Sequence, residues 1–279
     1  MEFGVSAAAS IEAERHCPSA DGSHRAITGH ILRLADGAGC GAALIDAADG
    51  SVTTWPQFAQ TVRAAAHGLA RRGLQGDDTV GVFVADAASH AGAVHAVRAA
   101  GAAAWPLRPA ATTGDIAAQL NACRARLLIT SAPLAELAIE AAERSWVRQI
   151  FAFGEAPETT PFDSLLEAAE HTGRRVNGSA PPTSAAPTSA VPVSDLAGLT
   201  LAGGPRLTRW DVVVAAPPSG EPDAYTLLLD LALIAGATIV AAQAGQITDA
   251  IAVYHGTAAV APCGAAVEGL PAGRVFRVG

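Results

Sequence analysis

The chain has 279 residues, half of them apolar and 16% charged, with a formal net charge of −8. That balance supplies a sizeable core and excludes global disorder, and its acidic sign gives no electrostatic reason to seek nucleic acid or anionic lipid. All 18 basic residues are arginine, which also excludes lysine Schiff-base chemistry, with pyridoxal phosphate or otherwise, on this chain.

Residues 1–25 are small, polar and aperiodic and read as a flexible leader. They lack the basic start and apolar core of a signal peptide, so a cytoplasmic location is expected. A helical pattern runs from Ile27 to about Leu34 and breaks at Gly37-Ala38-Gly39-Cys40-Gly41. That glycine run follows a helix and precedes a strand, the reverse of a dinucleotide fingerprint. Ala43–Asp46 reads as a strand, Asp49-Gly50 as a two-residue hairpin turn, and Val52–Trp55 as the returning strand. Pro56 opens a helix with Phe58, Val62, Ala66 and Leu69 on one face, and Gly73 closes it. Arg71-Arg72 falls at its C-terminus, where positive charge suits the dipole.

A regular alternation follows. Strands are expected at 79–85, 103–107, 126–130 and 147–153, and helices at 89–100, 113–123 and 132–144, with Thr113 as the N-cap of the second helix. This rhythm predicts a mainly parallel sheet with helices on its faces. Residues 173–197, rich in Pro, Ser, Thr and Ala, read as a linker or surface loop. Past them the rhythm resumes, with strands at 211–216, 238–242, 257–262 and 275–278 and helices at 223–235 and 247–254. The fold class is therefore α/β, with two stacked units at 26–172 and 198–279. Thr226–Ala244 is apolar and as long as a membrane span, but Asp230 interrupts it and Gly236 splits it. A helix feeding a buried strand explains it better, and no membrane partner is expected.

Cys17, Cys40, Cys123 and Cys263 form no CxxC pair and read as free buried thiols. His90 and His95 share one helix but, five residues apart, point about 140° away from each other, so no shared metal is expected.

Several short motifs in order carry a resemblance. They are Ala43-Leu44-Ile45-Asp46 through Thr53-Thr54-Trp55, then Gly68-Leu69, Arg72-Gly73 and Gly76-Asp77. Ala99-Ala100-Gly101-Ala102, Trp105-Pro106-Leu107-Arg108-Pro109 and Ala125-Arg126-Leu127-Leu128-Ile129-Thr130 follow. Last come Leu231-Ala232-Leu233 and Ala235-Gly236-Ala237-Thr238-Ile239-Val240. Together they resemble the front half of the adenylate-forming enzymes, in the acyl-CoA synthetase and 4-coumarate–CoA ligase branch. The likeness covers roughly residues 27–170 and 195–279. It implies an incomplete N-terminal domain that stops before the family's second nucleotide motif, its Mg²⁺ carboxylate, its ribose-binding aspartate and its small C-terminal domain.

Adenylation must bind a polyphosphate and neutralise charge as pyrophosphate leaves. The family does the first with a Ser/Thr/Gly-rich loop ending in Pro-Lys-Gly, placed after an Asp-Leu-Ala strand. Here Asp195-Leu196-Ala197 matches the strand, but Gly198-Leu199-Thr200-Leu201-Ala202-Gly203-Gly204-Pro205-Arg206 follows, and Trp210-Asp211 already begins the next strand. The loop and its helix read as deleted, and Gly203-Gly204-Pro205 as a chain reversal. The family's aromatic-His motif is also gone, with Glu221 standing where its histidine falls.

The cluster Pro218–Tyr225 follows strand 211–216 at its C-terminal end, where open α/β sheets bind ligands. Two readings stand for it. It is a helix N-terminus capped by Asp223, or it is a site in which Glu221, Asp223 or Tyr225 meets a ligand, with His255 as a further partner. No cofactor or metal is expected. Partners expected are an acyl or aryl small molecule, a carrier or partner protein, or a second copy of the chain. The leading function is an adenylation-incompetent homologue kept as a ligand-binding or partner protein in a biosynthetic pathway. The alternative is an ATP-independent isomerase or cyclase using the old acyl pocket.

Overall fold

The computed structural model describes residues 22–108, 112–167, 206–218, 220 and 222–278. The 173–197 segment, the run 198–205 read as standing in place of the phosphate loop, Cys17 and Glu221 lie outside them.

Helix α1 (Gly22–Gly37) starts earlier than its apolar pattern. Residues 22–25 of the expected leader are therefore helical, and Arg25 donates to Gly101 O at 2.6 Å. Strands β1 (Ala42–Asp46) and β2 (Val52–Thr54) pair antiparallel across Asp49-Gly50, as the turn signal predicts. Helix α2 (Trp55–Arg71) is started by Thr54, whose hydroxyl accepts from Gln57 N while the Gln57 side chain returns to Thr54 N. This reciprocal cap satisfies two donors that a helix end otherwise leaves open. Strand β3 (Thr79–Phe83), helix α3 (Ala87–Ala100), strand β4 (Ala103–Pro106) and helix α4 (Thr113–Ala122) follow. The cap of α4 is Thr112 and not Thr113, because Thr112 holds the extended backbone and its hydroxyl accepts from Asp115 N. Next come β5 (Leu127–Ser131), α5 (Ala135–Glu143), β6 (Gln149–Phe153) and the short β7 (Thr160–Pro161). After the undescribed stretch lie β8 (Val212–Ala215), α6 (Pro222–Ile234), β9 (Thr238–Ala241), α7 (Ile247–Tyr254), β10 (Ala258–Pro262) and β11 (Val275–Val278).

The strands form two sheets. One is all parallel, in the order β4-β3-β5-β6-β7; the other runs β11-β10-β8-β9-β1-β2, parallel except at β2. Sheet membership departs from the expected division at 172/198, since β1 and β2 join the second sheet through β9. Hydrophobic pattern alone could not reveal this, because a strand's periodicity is the same whichever sheet it enters. Helices α2, α3 and α6 lie between the sheets; α3 touches β3 and β4 of one and β1 and β9 of the other. Helices α4 and α5 cover the outer face of the first sheet and α7 that of the second. Both faces of β8, β9 and β10 are buried: Val213, Ile239 and Val260 face inward, and Val214, Val240 and Ala259 face out under α7. No helix among the described residues is long and apolar enough to cross a membrane. Of the thiols, Cys123 is buried, whereas Cys40 and Cys263 are exposed, contrary to expectation, because both sit in turns outside the strands.

The central helix layer carries charge. Asp230 of α6, 2% exposed, accepts from Arg98 of α3 at 2.8 Å, and His95 Nε2 lies 3.4 Å from its other oxygen. Thr28 of α1 meets His95 Nδ1 at 3.0 Å. Five residues earlier on α3, His90 Nε2 meets Thr226 Oγ1 of α6 at 2.7 Å, and the Thr226 hydroxyl donates to Pro222 O. The Thr226 proton is thus committed, so His90 carries its proton on Nε2 and donates it. Two polar pins therefore join α3 and α6 along their lengths. Burial, aided by Arg98 and the neighbouring imidazole, lowers the pKa of His90 to about 3. Burial, partly opposed by Asp230, lowers that of His95 to about 4.

Two predictions follow from this packing. A Cβ at Gly68 of α2 would meet the Leu165 backbone, with its Cα at 2.8 Å, whereas nothing lies within 4 Å of one at Gly37. Gly68→Ala should lower unfolding free energy by about 1–3 kcal/mol in urea titrations, and Gly37→Ala should not. Both buried imidazoles titrate below the unfolded value of 6.5. The unfolded chain thus takes up protons that the native one refuses as pH falls from 6.5 toward 4. Each histidine should cost up to about 1.4 kcal/mol of stability per pH unit across that window. Urea midpoints at pH 7.5, 6 and 5 should fall accordingly, and His90→Gln should flatten the slope by about half.

Candidate functional site

Strands β3 and β8 end side by side at the opening between the two sheets. Beyond β3 the chain runs through Val84 to Asp86, which begins α3; beyond β8 it runs through Pro217-Pro218 to Pro222, which begins α6. The two helix starts and the strand ends enclose a recess lined by Val82, Val84, Asp86, His90, Leu107, Pro217, Pro218, Pro222 and Tyr225. About 10 Å³ of it is open to the centre of a water molecule, room for one water.

Asp86 is half-buried and caps α3: its Oδ1 accepts from Ser89 N at 2.7 Å. The Asp86 Oδ2 has no donor among the described residues. Tyr225, 2% exposed, lies one turn into α6 and packs edge-on to the His90 ring, with centroids 5.2 Å apart. Its hydroxyl is buried and has no hydrogen-bond partner among the described residues. Burial, with the Asp86 carboxylate nearby, pushes its pKa well above the usual phenol value, so the ring stays neutral. Three of the nine lining residues are proline, which contributes a carbonyl and no N–H. The described lining therefore offers a carboxylate and a phenol, and its prolines add no N–H.

Of the residues expected at a site, Tyr225 reaches this recess. Asp223 is exposed in the first turn of α6, one residue inside the helix that it was expected to cap, because the helix begins at Pro222. Its charge there favours the helix dipole. His255 is exposed in the left-handed conformation after α7. It precedes β10, whose Ala258 is level with Val213, so it sits at the opposite edge of the sheet from Tyr225. The site does not include it. Glu221 is outside the described residues. Asp86 and His90 were missed as site members. The Asp86-x-x-Ser89 spacing at a strand end is a cap signature, but nothing local connects it to a helix more than a hundred residues away. Groups of three or more His, Cys, Asp or Glu placed to hold a metal do not occur among the described residues.

Comparison with solved structures reaches the same architecture. A long-chain-fatty-acid–CoA ligase from Archaeoglobus fulgidus superposes with a TM-score of 0.65 at 18% identity, covering 84% of this chain and 51% of that one. A benzoate CoA ligase from Burkholderia xenovorans LB400 gives 0.66 at 19% identity, over 85% and 50%. The amide bond synthetase McbA from Marinactinospora thermotolerans gives 0.63 at 20% identity, over 85% and 49%. At such identities these likenesses establish the fold, that of the N-terminal domain of adenylate-forming enzymes, and the chain spans about half the length of each. No curated protein sequence matches. The family model described as AMP-binding enzyme matches residues 36–204, more than half of the chain. The chain therefore belongs to the AMP-binding enzyme family.

Proposed function

We propose that this chain is an adenylation-incompetent member of that family, acting as a ligand-binding or partner protein in a biosynthetic pathway that handles acyl or aryl groups. The observation that carries the reading is the stretch between Ala197 and Asp211. It holds Gly198–Arg206 and no Ser/Thr/Gly-rich loop, and the chain has no lysine to end such a loop. A polyphosphate needs backbone N–H groups at close approach and cationic side chains to offset its charge. The cleft geometry supports the same reading. Its rim presents a carboxylate and three prolines, an environment that repels phosphate. A thioester, uncharged at its carbonyl, suits this rim better than a free carboxylate.

Acid–base catalysis at the recess is the weaker reading. Tyr225 is held neutral by burial, and His90, lowered to about 3, has its Nε2 proton committed to Thr226. Neither group is poised to exchange a proton near neutral pH.

Millimolar ATP with Mg²⁺ should leave the melting temperature unchanged in differential scanning fluorimetry. A site with a micromolar Kd would add about 4 kcal/mol at a thousandfold excess of ligand, a shift of several degrees. Such a shift would overturn the proposal.

A further inference from the structure

The recess has a definite chemical preference. Asp86 Oδ2 faces no donor among the described residues, because Oδ1 alone is used to cap α3. The Tyr225 hydroxyl is buried without a partner among the described residues, although a buried hydroxyl normally finds one. Pro217, Pro218 and Pro222 line the same space and supply no N–H. His90 turns its Nε2 proton away, onto Thr226. The positive ends of α3 and α6 come to this opening, but Asp86 caps the first and Asp223 lies in the first turn of the second. The space holds one water-sized group. A water-sized group that donates N–H to both oxygens and carries a charge opposite to Asp86 fits this space.

We infer that the recess binds the ammonium head of a primary amine, which donates to Asp86 Oδ2 and to the Tyr225 hydroxyl oxygen. The Asp86 carboxylate supplies the charge and is the larger contributor. The Tyr225 hydroxyl accepts a second N–H and turns its own proton away from the ammonium. The narrow floor admits –NH₃⁺ and excludes a quaternary ammonium, which is wider and has no N–H. The remainder of the ligand extends out of the recess. This inference rests on the reading of the cleft as an ATP-independent binding site, and it names the chemistry recognised there.

The test uses the full chain with ethylammonium chloride, tetramethylammonium chloride and sodium acetate at equal ionic strength. Thermal shift and calorimetric titration supply the readouts. Ethylammonium should raise the melting temperature, and the other two should not. Asp86→Asn keeps a side-chain oxygen to cap α3 and should weaken ethylammonium binding about tenfold, the loss expected when a charged acceptor becomes neutral. Tyr225→Phe, which removes only the unpartnered hydroxyl, should weaken it about threefold and serves if the Asp86 variant folds poorly. An equal response to acetate or tetramethylammonium overturns the inference. So do the absence of any response to ethylammonium and unchanged affinity in both variants. ATP–Mg²⁺ is run beside these salts: failure with ethylammonium while ATP is also silent removes this inference alone, whereas stabilisation by ATP removes the reading beneath it.

Discussion

An ionised carboxylate in the middle of a helix layer must be paired, because an isolated buried charge costs several kcal/mol. Asp230 sits at that position between the two sheets, and Arg98 and His95 answer it. The geometry of the cleft depends on this arrangement. Helix α3 begins at Asp86 and helix α6 at Pro222, so whatever fixes these helices against each other also fixes the two walls of the recess. The Arg98–Asp230 pair does so at one level, and the His90–Thr226 hydrogen bond does so nearer the mouth. The pairing contributes less to net stability than its Coulomb energy suggests, since desolvation offsets much of the attraction. Its value is in the register that it imposes: sliding either helix by one turn would strand a buried charge.

The alternation of strands and helices was legible because each element has the periodicity and the stop signals of its type. Pro56 read as a helix start and Asp49-Gly50 as a hairpin, and each does that work in the fold. That Tyr225 would lie at the recess was legible because it follows a strand end in a parallel sheet. Three things were not. The pairing of β1 with β9 joins residues about 195 positions apart in the chain, and nothing local encodes a partner at that distance. Asp230 announced itself as a lone acid in an apolar run, yet Arg98, its partner, lies 132 residues earlier. His255 has the chemistry of a site residue, but chain direction puts it at the wrong end of the sheet. The end of a parallel strand at which a residue falls decides whether it can reach a cleft, and that depends on where the strand starts to within two residues.

Membership of the AMP-binding family accounts for the scaffold and leaves open how the scaffold is used, because one fold hosts many functions and function resides in the site. On the proposed reading, the sequence departs from the family pattern at the elements that manage phosphate. A site that stabilises a leaving pyrophosphate presents positive charge and N–H groups. The described rim here presents Asp86, a neutral phenol and three prolines without N–H.

Exchange of labelled pyrophosphate into ATP reads the adenylation step itself, with no need for a second substrate to complete the reaction. With purified protein, Mg²⁺ and a panel of aryl, fatty and amino acids, the account predicts exchange indistinguishable from a no-protein control for every acid. Protein-dependent exchange with any one of them would contradict it.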